Sequence, residues 1–186
     1  MSNKFGKYND SDLFIALKDK KTAEAAFAEL YSRHSQRIYA YSLRVTGSPE
    51  DAQDIFQEAF MKFFAAAEDK DYIENVPAFL LTITRNLCIN YLRSRRLTFD
   101  IEDYNFSTND TGYEQKEMLE LIGRSLETLD FDYREAFILR QYHGMSYKEI
   151  SMITGDSISA VKNRVWRAKE KIKDILQPYL EDISKK

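Results

Sequence analysis

The chain has 186 residues, 44% of them hydrophobic and 31% charged, with 27 Lys/Arg against 30 Asp/Glu, enough for one substantial core or two small ones. One cysteine, Cys88, excludes an internal disulfide, and two distant histidines, His34 and His143, argue against a Cys/His metal cluster. No apolar run reaches the ~18 residues of a membrane span and the N-terminus lacks signal-peptide architecture, so a cytoplasmic protein with no direct membrane insertion is expected.

The net charge of -3 does not by itself suggest a nucleic-acid binder, but the charges are unevenly placed. Residues 1–97 carry 14 Lys/Arg and 13 Asp/Glu, residues 98–118 carry one and six, and residues 119–186 carry 12 and 11. An acidic segment therefore separates two nearly neutral halves. Within the first half, Glu50, Asp51, Asp54 and Glu58 meet no base, whereas Arg85, Arg93, Arg95 and Arg96 meet no acid.

In chain order, "TAEAAFAELYSRHSQRIYAYSLRVTG" places Phe27, Leu30, Tyr31, Ile38, Tyr41 and Leu43 at helical spacing and ends on Gly47. Ser48 then supplies an N-cap, Pro49 suits the first helical position and Asp51 completes a capping-box pattern, so the next helix starts at Ser48. Its Ile55, Phe56, Ala59, Phe60, Phe63 and Phe64 recur in pairs every four residues, a stripe that packs on the preceding helix. A further helix begins near Pro77 and runs through "AFLLTITRNLCINYLRSRR", with Phe79, Leu80, Ile83, Leu87 and Tyr91 as its apolar set. Residues 97–115, "LTFDIEDYNFSTNDTGYEQ", have no helical period and read as a linker, although Phe99, Tyr104 and Phe106 argue against a pure spacer.

Helical signal returns in "MLELIGRSLETL" and in "DYREAFILRQYHG", the latter stopped by Gly144. Ser146 and Glu149 form a second capping box, Gly155 ends a helix of about two turns, and Ser157 caps the next one after a turn of three to four residues. That is the grammar of a helix-turn-helix. On the last helix Ile158, Val161, Val165, Ala168, Ile172 and Ile175 step by three and four and face inward. Ser159, Lys162, Asn163, Trp166, Arg167 and Glu170 share another face, so the chain's one tryptophan stands off the core stripe. No stretch alternates with period two. The expected fold is all-α, two small helical domains joined by an acidic linker, the C-terminal one a helix-turn-helix.

A face of Lys, Asn, Arg and an indole has the chemistry to enter a major groove: Arg holds guanine O6/N7, Asn pairs with adenine, and the cations neutralise phosphates. The bland alternative is a solvated basic helix end whose Trp166 covers a neighbour; the preceding helix, turn and cap favour DNA. In the first half, Asn86 and Asn90 lie four apart inside a helix where Asn is a poor former, so something other than propensity explains them.

"LETLDFDYREAFILRQYHGMSYKEISMITGDSISAVKNRVWRAKEKI" resembles region 4 of bacterial RNA polymerase sigma factors, and "DAQDIFQEAFMKFF" followed by "VPAFLLTITRNLCINYLRSRR" resembles their region 2. The short connection between them matches the compact extracytoplasmic-function (ECF) class. The resemblance implies that residues 1–97 form region 2, which binds core RNA polymerase and recognises and melts the minus-10 element. Residues 98–118 are then the linker, and residues 119–186 form region 4, a helix-turn-helix that reads the minus-35 element of promoter DNA as duplex.

Carried over residue by residue, the resemblance assigns Asp54, Gln57, Glu58 and Phe60 to a coiled coil of the polymerase's largest subunit, with Phe56, Phe63 and Phe64 left to the core. Asn86 and Asn90 match positions involved in promoter melting, with Arg85, Arg93, Arg95 and Arg96 along phosphates. Lys162, Asn163, Trp166 and Arg167 take the minus-35 element, with Ser159 and Arg164 as backbone contacts, although Arg164 points away from the others on the helix. An anti-sigma factor is an implied partner, and the acidic linker is expected in the polymerase cleft. Some residues depart from the family pattern: Ser151 and Ala160 stand where Ala and Thr are common, Asp156 where an apolar residue follows the turn glycine, and Phe79 where a tryptophan often stands.

No Gly-rich phosphate loop or nucleophile elbow appears, so neither catalysis nor a cofactor is expected. Two other classes share these features: a helix-turn-helix regulator that is not a polymerase subunit, and a helical adaptor that binds polymerase without specifying promoters.

Overall fold

The computed structural model describes residues 5–96, 121–126 and 128–183. Among these the chain is all helical, as its periodicity predicts. It divides into two compact units, Met1–Glu102 and Asp103–Lys186. The acidic stretch 98–118, with Phe99, Tyr104 and Phe106, lies outside the described residues.

The first unit holds α1 (Asp10–Ala16), α2 (Ala23–Thr46), α3 (Pro49–Asp69) and α4 (Val76–Arg96). Helices α2, α3 and α4 pack pairwise, and α1 lies chiefly against α2. The α2–α3 corner forms as its residues dictate. Gly47 closes α2 in the left-handed conformation at φ 72°, which glycine adopts without the strain a Cβ would bring. Ser48 then accepts from the Asp51 amide at 3.3 Å, and Pro49 opens α3. The core between them is aromatic and aliphatic: Leu30, Ile38, Tyr41, Ala59 and Phe63 are buried, and Phe63 meets Phe14 of α1 with ring centroids 5.5 Å apart. Each of the large apolar side chains removed from water, Leu30, Ile38 and Phe63, contributes roughly 1.5–3 kcal/mol.

Helix α1 is not visible as a periodic pattern because seven residues make less than two turns. It is set by the Asn9 side chain, which accepts from the Asp12 amide at 2.8 Å, and by complete burial of Leu13 and Phe14. Arg33 of α2 ties this segment down. Its guanidinium donates to Asp10 at 2.8 Å, to Glu29 at 2.7 Å and to the Tyr8 carbonyl at 2.9 Å, while His34 Nε2 lies 2.7 Å from the Asp10 carboxylate.

The second unit holds a helix over 121–126 (α5), α6 (Phe131–Gln141), α7 (Tyr147–Thr154) and α8 (Ile158–Ile183). The regular ladder of α6 ends at Gln141, and Gly144 at φ 64° turns the chain so that the Met145 amide reaches the Leu139 carbonyl at 3.1 Å. The Ser146–Glu149 capping box forms in full: the Glu149 amide donates to Ser146 Oγ at 3.2 Å and the Ser146 amide to the Glu149 carboxylate at 2.8 Å. Gly155 ends α7 at φ 79°, and Ser157 accepts from the Ala160 amide at 3.2 Å to start α8. Three residues, Gly155 to Ser157, separate α7 from α8.

The buried stripe of α8 is Val161, Val165, Ala168, Ile172 and Leu176. Its C-terminal part, Ala168, Ile172 and Leu176, packs with Leu126 and Leu129. Ile158 and Ile175, expected on this stripe, are exposed. With 3.6 residues per turn the inward line passes from Ile172 to Leu176 four residues on, and Ile158 is the helix's first residue, at the end of the packed stretch.

Candidate nucleic-acid and polymerase interfaces

On α8 the stripe fixes what faces outward. Ser159, Lys162, Asn163, Trp166 and Arg167 are all exposed, the tryptophan with 60% of its surface in solvent. A large aromatic left this open on a rigid, capped helix is available to a partner surface. Arg164 stands apart from them. Half-buried, its guanidinium pairs with the carboxylate of Asp156 in the turn and lies 3.3 Å from Asp132 at the start of α6. Arg164, expected as a backbone contact, braces the turn against α6 in this structure.

The same turn accounts for two departures from the family pattern. The Ser151 hydroxyl donates to the Asp156 carbonyl at 2.5 Å, and the Asp156 carboxylate holds Arg164. Polar residues at both positions thus lock the α7–α8 geometry by hydrogen bonding. A further feature was missed in the sequence: Tyr147, the first residue of α7, has Arg140 at 4.7 Å and Lys162 at 5.7 Å from its ring centroid.

In the first unit, α4 presents Asn86, Asn90 and Arg93 to solvent at spacings of four and three, one face of the helix, with Arg85 half-buried beside them. Arg95 and Arg96 close α4, their side chains outside the described ones. Phe79 is half-buried, its ring 6.3 Å from Phe63, with the Lys70 ammonium 5.6 Å from its centroid.

Helix α3 divides by angle. Taking Phe56 as zero at about 100° per residue, Phe60 and Phe63 fall within about 40°, while Asp54, Gln57, Glu58 and Met61 span about 100–200°. Asp54, Gln57 and Glu58 are accordingly exposed. Phe60 is not: only 4% of it reaches solvent, and its ring lies 4.9 Å from Tyr31 and 5.1 Å from Phe56. Phe60, expected among the polymerase contacts, packs its side chain into the α2–α3 core. Met61, 64% exposed in the middle of the acidic face, is the apolar side chain available there. Phe64, expected in the core, is 42% exposed because the stripe has drifted about 80° from Phe56 by that point. It keeps an edge contact with Phe27 at 5.4 Å.

The structure brings two groups of these residues together. An open groove of about 450 Å³ runs between α3 and α4, with Asp54 and Glu58 on one wall and Asn90 and Tyr91 on the other. Tyr91 fixes the groove by donating to the Asp51 carboxylate at 2.5 Å. No helix among the described residues is long and apolar enough to cross a membrane.

Residues 30–98 match the family model of sigma-70 region 2, and residues 119–172 match that of sigma-70 region 4. The chain is 33% identical to the RNA polymerase sigma factor NccH of Alcaligenes xylosoxydans xylosoxydans, across 89% of this chain and 95% of that one. It is 28% identical to the ECF RNA polymerase sigma-E factor of Escherichia coli strain K12, across 91% and 96%. Among solved structures, the sigma factor RpoE of Bartonella quintana in complex with the anti-sigma factor NepR superposes with a TM-score of 0.71 at 25% identity, covering 81% of this chain and 96% of that one. The chain belongs to the ECF class of RNA polymerase sigma factors, and its role is in the initiation of transcription.

Proposed function

We propose that the chain directs core RNA polymerase to promoters through surfaces carried separately by its two units. Residues 1–97 bind core polymerase through Asp54, Gln57 and Glu58, with Met61 rather than Phe60 as the apolar centre; an acidic helix face with an apolar edge suits a basic helical partner. Along α4, Asn86 and Asn90 offer donor and acceptor groups to unstacked minus-10 bases, while Arg85, Arg93, Arg95 and Arg96 follow the phosphates. Holding flipped bases favours the open promoter over the closed one, so binding energy, with no catalysis by this chain, drives melting.

Residues 119–186 read the minus-35 duplex with Ser159, Lys162, Asn163, Trp166 and Arg167, and residues 98–118 serve as the acidic linker that enters the polymerase cleft. The Bartonella relative was solved with an anti-sigma factor; by that likeness an anti-sigma factor is a partner of this chain, acting in the cytoplasm where polymerase works.

The observation that carries this reading is the exposed Lys162–Asn163–Trp166–Arg167 face on a helix whose opposite stripe is buried. Arg167→Ala tests it. Promoter duplex binding by the holoenzyme is expected to weaken by roughly 1–3 kcal/mol while affinity for core polymerase stays unchanged; equal loss of both would refute the division between units.

A further inference from the structure

The last buried side chains described on α4 are Leu87 and Cys88, yet most of the residues read as meeting the promoter, Asn90, Arg93, Arg95 and Arg96, follow them. The end of the helix therefore leaves the core: Tyr91 and Leu92 are half-buried, and Arg93 and Ser94 are exposed. Helix ends without tertiary contacts fray and open locally. A contact from far in the sequence holds this one. The Tyr91 hydroxyl donates to the Asp51 carboxylate at 2.5 Å, across 40 residues. Asp51 lies in the first turn of α3 beside the buried Ala52 and Ile55, so the acceptor is fixed to the core. The Ser94 hydroxyl donates to the Tyr91 carbonyl at 2.8 Å and ties the next turn to the same residue. Taking Tyr91 as zero at about 100° per residue, Asn86, Asn90 and Arg93 fall at about 200–260°. The bond grips one side of α4 and so sets the roll of the opposite side.

We propose that Tyr91 is a positioning residue for promoter melting. Its bond to Asp51 keeps the end of α4 in the orientation in which Asn86, Asn90 and Arg93 act as a single face on unstacked minus-10 bases. The inference rests on the minus-10 reading of α4 and deepens it, because the phenol acts on DNA only through the helix that carries it. Helix α3 also presents Asp54, Gln57 and Glu58, so the same bond registers the melting face against the helix that polymerase holds. Opening is weakened by the fraction of molecules in which the end of α4 has left its orientation, a loss that binding to core polymerase does not share.

The test uses the full chain bound to core polymerase and a promoter fragment that carries a fluorescent adenine analogue in the minus-10 element, whose emission rises on unstacking. Tyr91→Phe removes the donor and keeps the ring. It is expected to lower the equilibrium constant for opening about tenfold and to weaken holoenzyme binding of a single-stranded minus-10 oligonucleotide by the same factor. Affinity for core polymerase and for minus-35 duplex should stay at the parent's values. Amide hydrogen exchange in the free chain should quicken from Tyr91 to Arg96 and stay as in the parent through α3. Asp51→Ala should reduce opening at least as much, and on that background Tyr91→Phe should cost nothing further.

A general loss of fold would lower affinity for core polymerase together with opening, and a purely local packing role would quicken exchange without moving opening. Either result overturns the proposal, as do losses in opening that add in the double variant. If Asn86→Ala and Asn90→Ala leave opening unchanged, the minus-10 reading itself fails; if they reduce it while Tyr91→Phe opens the promoter as the parent does, only the positioning role fails.

Discussion

Phe60→Ala separates the two readings of α3. The side chain is 4% exposed and sits among the rings of Tyr31, Phe56 and Phe27 at 4.9, 5.1 and 6.1 Å. Truncating a buried phenylalanine costs about 3–5 kcal/mol through lost transfer energy and the cavity left behind, and the ring contacts place Phe60 toward the upper end. Against a domain stability of roughly 5–15 kcal/mol that is a third or more of the total. At about 4–8 °C per kcal/mol for a unit near this size, melting should fall by at least about 12 °C. Asp54→Ala and Glu58→Ala should stay within about 0.5 kcal/mol of the parent, since both side chains are exposed and Glu58 forfeits only a surface pair with Lys62 at 3.1 Å. Thermal melting of the full chain, with titration of labelled chain against core polymerase, reads both quantities. If Phe60→Ala melts within about 2 °C of the parent and still loses polymerase, the phenylalanine is a contact residue and the assignment of this face is wrong.

Arg164→Met should destabilise the second unit by about 1–3 kcal/mol, because it leaves Asp156 and Asp132 without their shared cation, and should leave the salt dependence of DNA binding unchanged; unchanged melting with a slope lower by about 0.9 would return Arg164 to the phosphate backbone. Ser146→Ala should cost about 1 kcal/mol by removing the cap of α7, with Ser146→Asp restoring most of it; equal melting of all three forms would show the capping box to be without weight. The hydrogen bond from the Lys18 ammonium, at 2.5 Å, and its charge hold the Asp71 carboxyl below its ordinary range. A carboxyl depressed in the folded state contributes stability that is complete above the ordinary carboxylate range and is lost as pH falls through the folded value. Parent and Lys18→Met should therefore differ in melting near neutral pH and converge in acid or at high salt, since Asp71 is fully exposed; a difference that persists in acid would assign the effect to lysine packing.

The parts of this architecture written in local chemistry were legible in the sequence. Gly47, Ser48 and Pro49 mark one helix boundary and Ser146, Glu149 and Gly155 mark another, because capping depends on neighbours within a few residues. The split of α8 into a buried Val161–Val165–Ala168–Ile172 stripe and an exposed Trp166 side was legible for the same reason, since 3.6 residues per turn is a local rule. What failed depends on which neighbour occupies the far side. Phe60 and Phe64 are both phenylalanines four apart, yet one is buried and the other exposed, because at about 100° per residue Phe60 lies about 40° from Phe56 on α3 and Phe64 about 80°. Helix α1 owes its place to Arg33 and Phe63, more than a dozen residues away. The ion pairs of Arg164 and the cation contacts of Tyr147 were not legible because their partners, Asp132, Asp156, Arg140 and Lys162, come from other helices and turns.

The most direct test of the central claim is start-site-mapped transcription in vitro, with the purified chain, core RNA polymerase and a library of genomic fragments. The chain is expected to produce initiation, absent with core alone, from promoters sharing one minus-10 and one minus-35 sequence, and Arg167→Ala should lose those starts while still binding core. Tight sequence-specific binding to duplex without polymerase, or no start above the background of core alone, would contradict it.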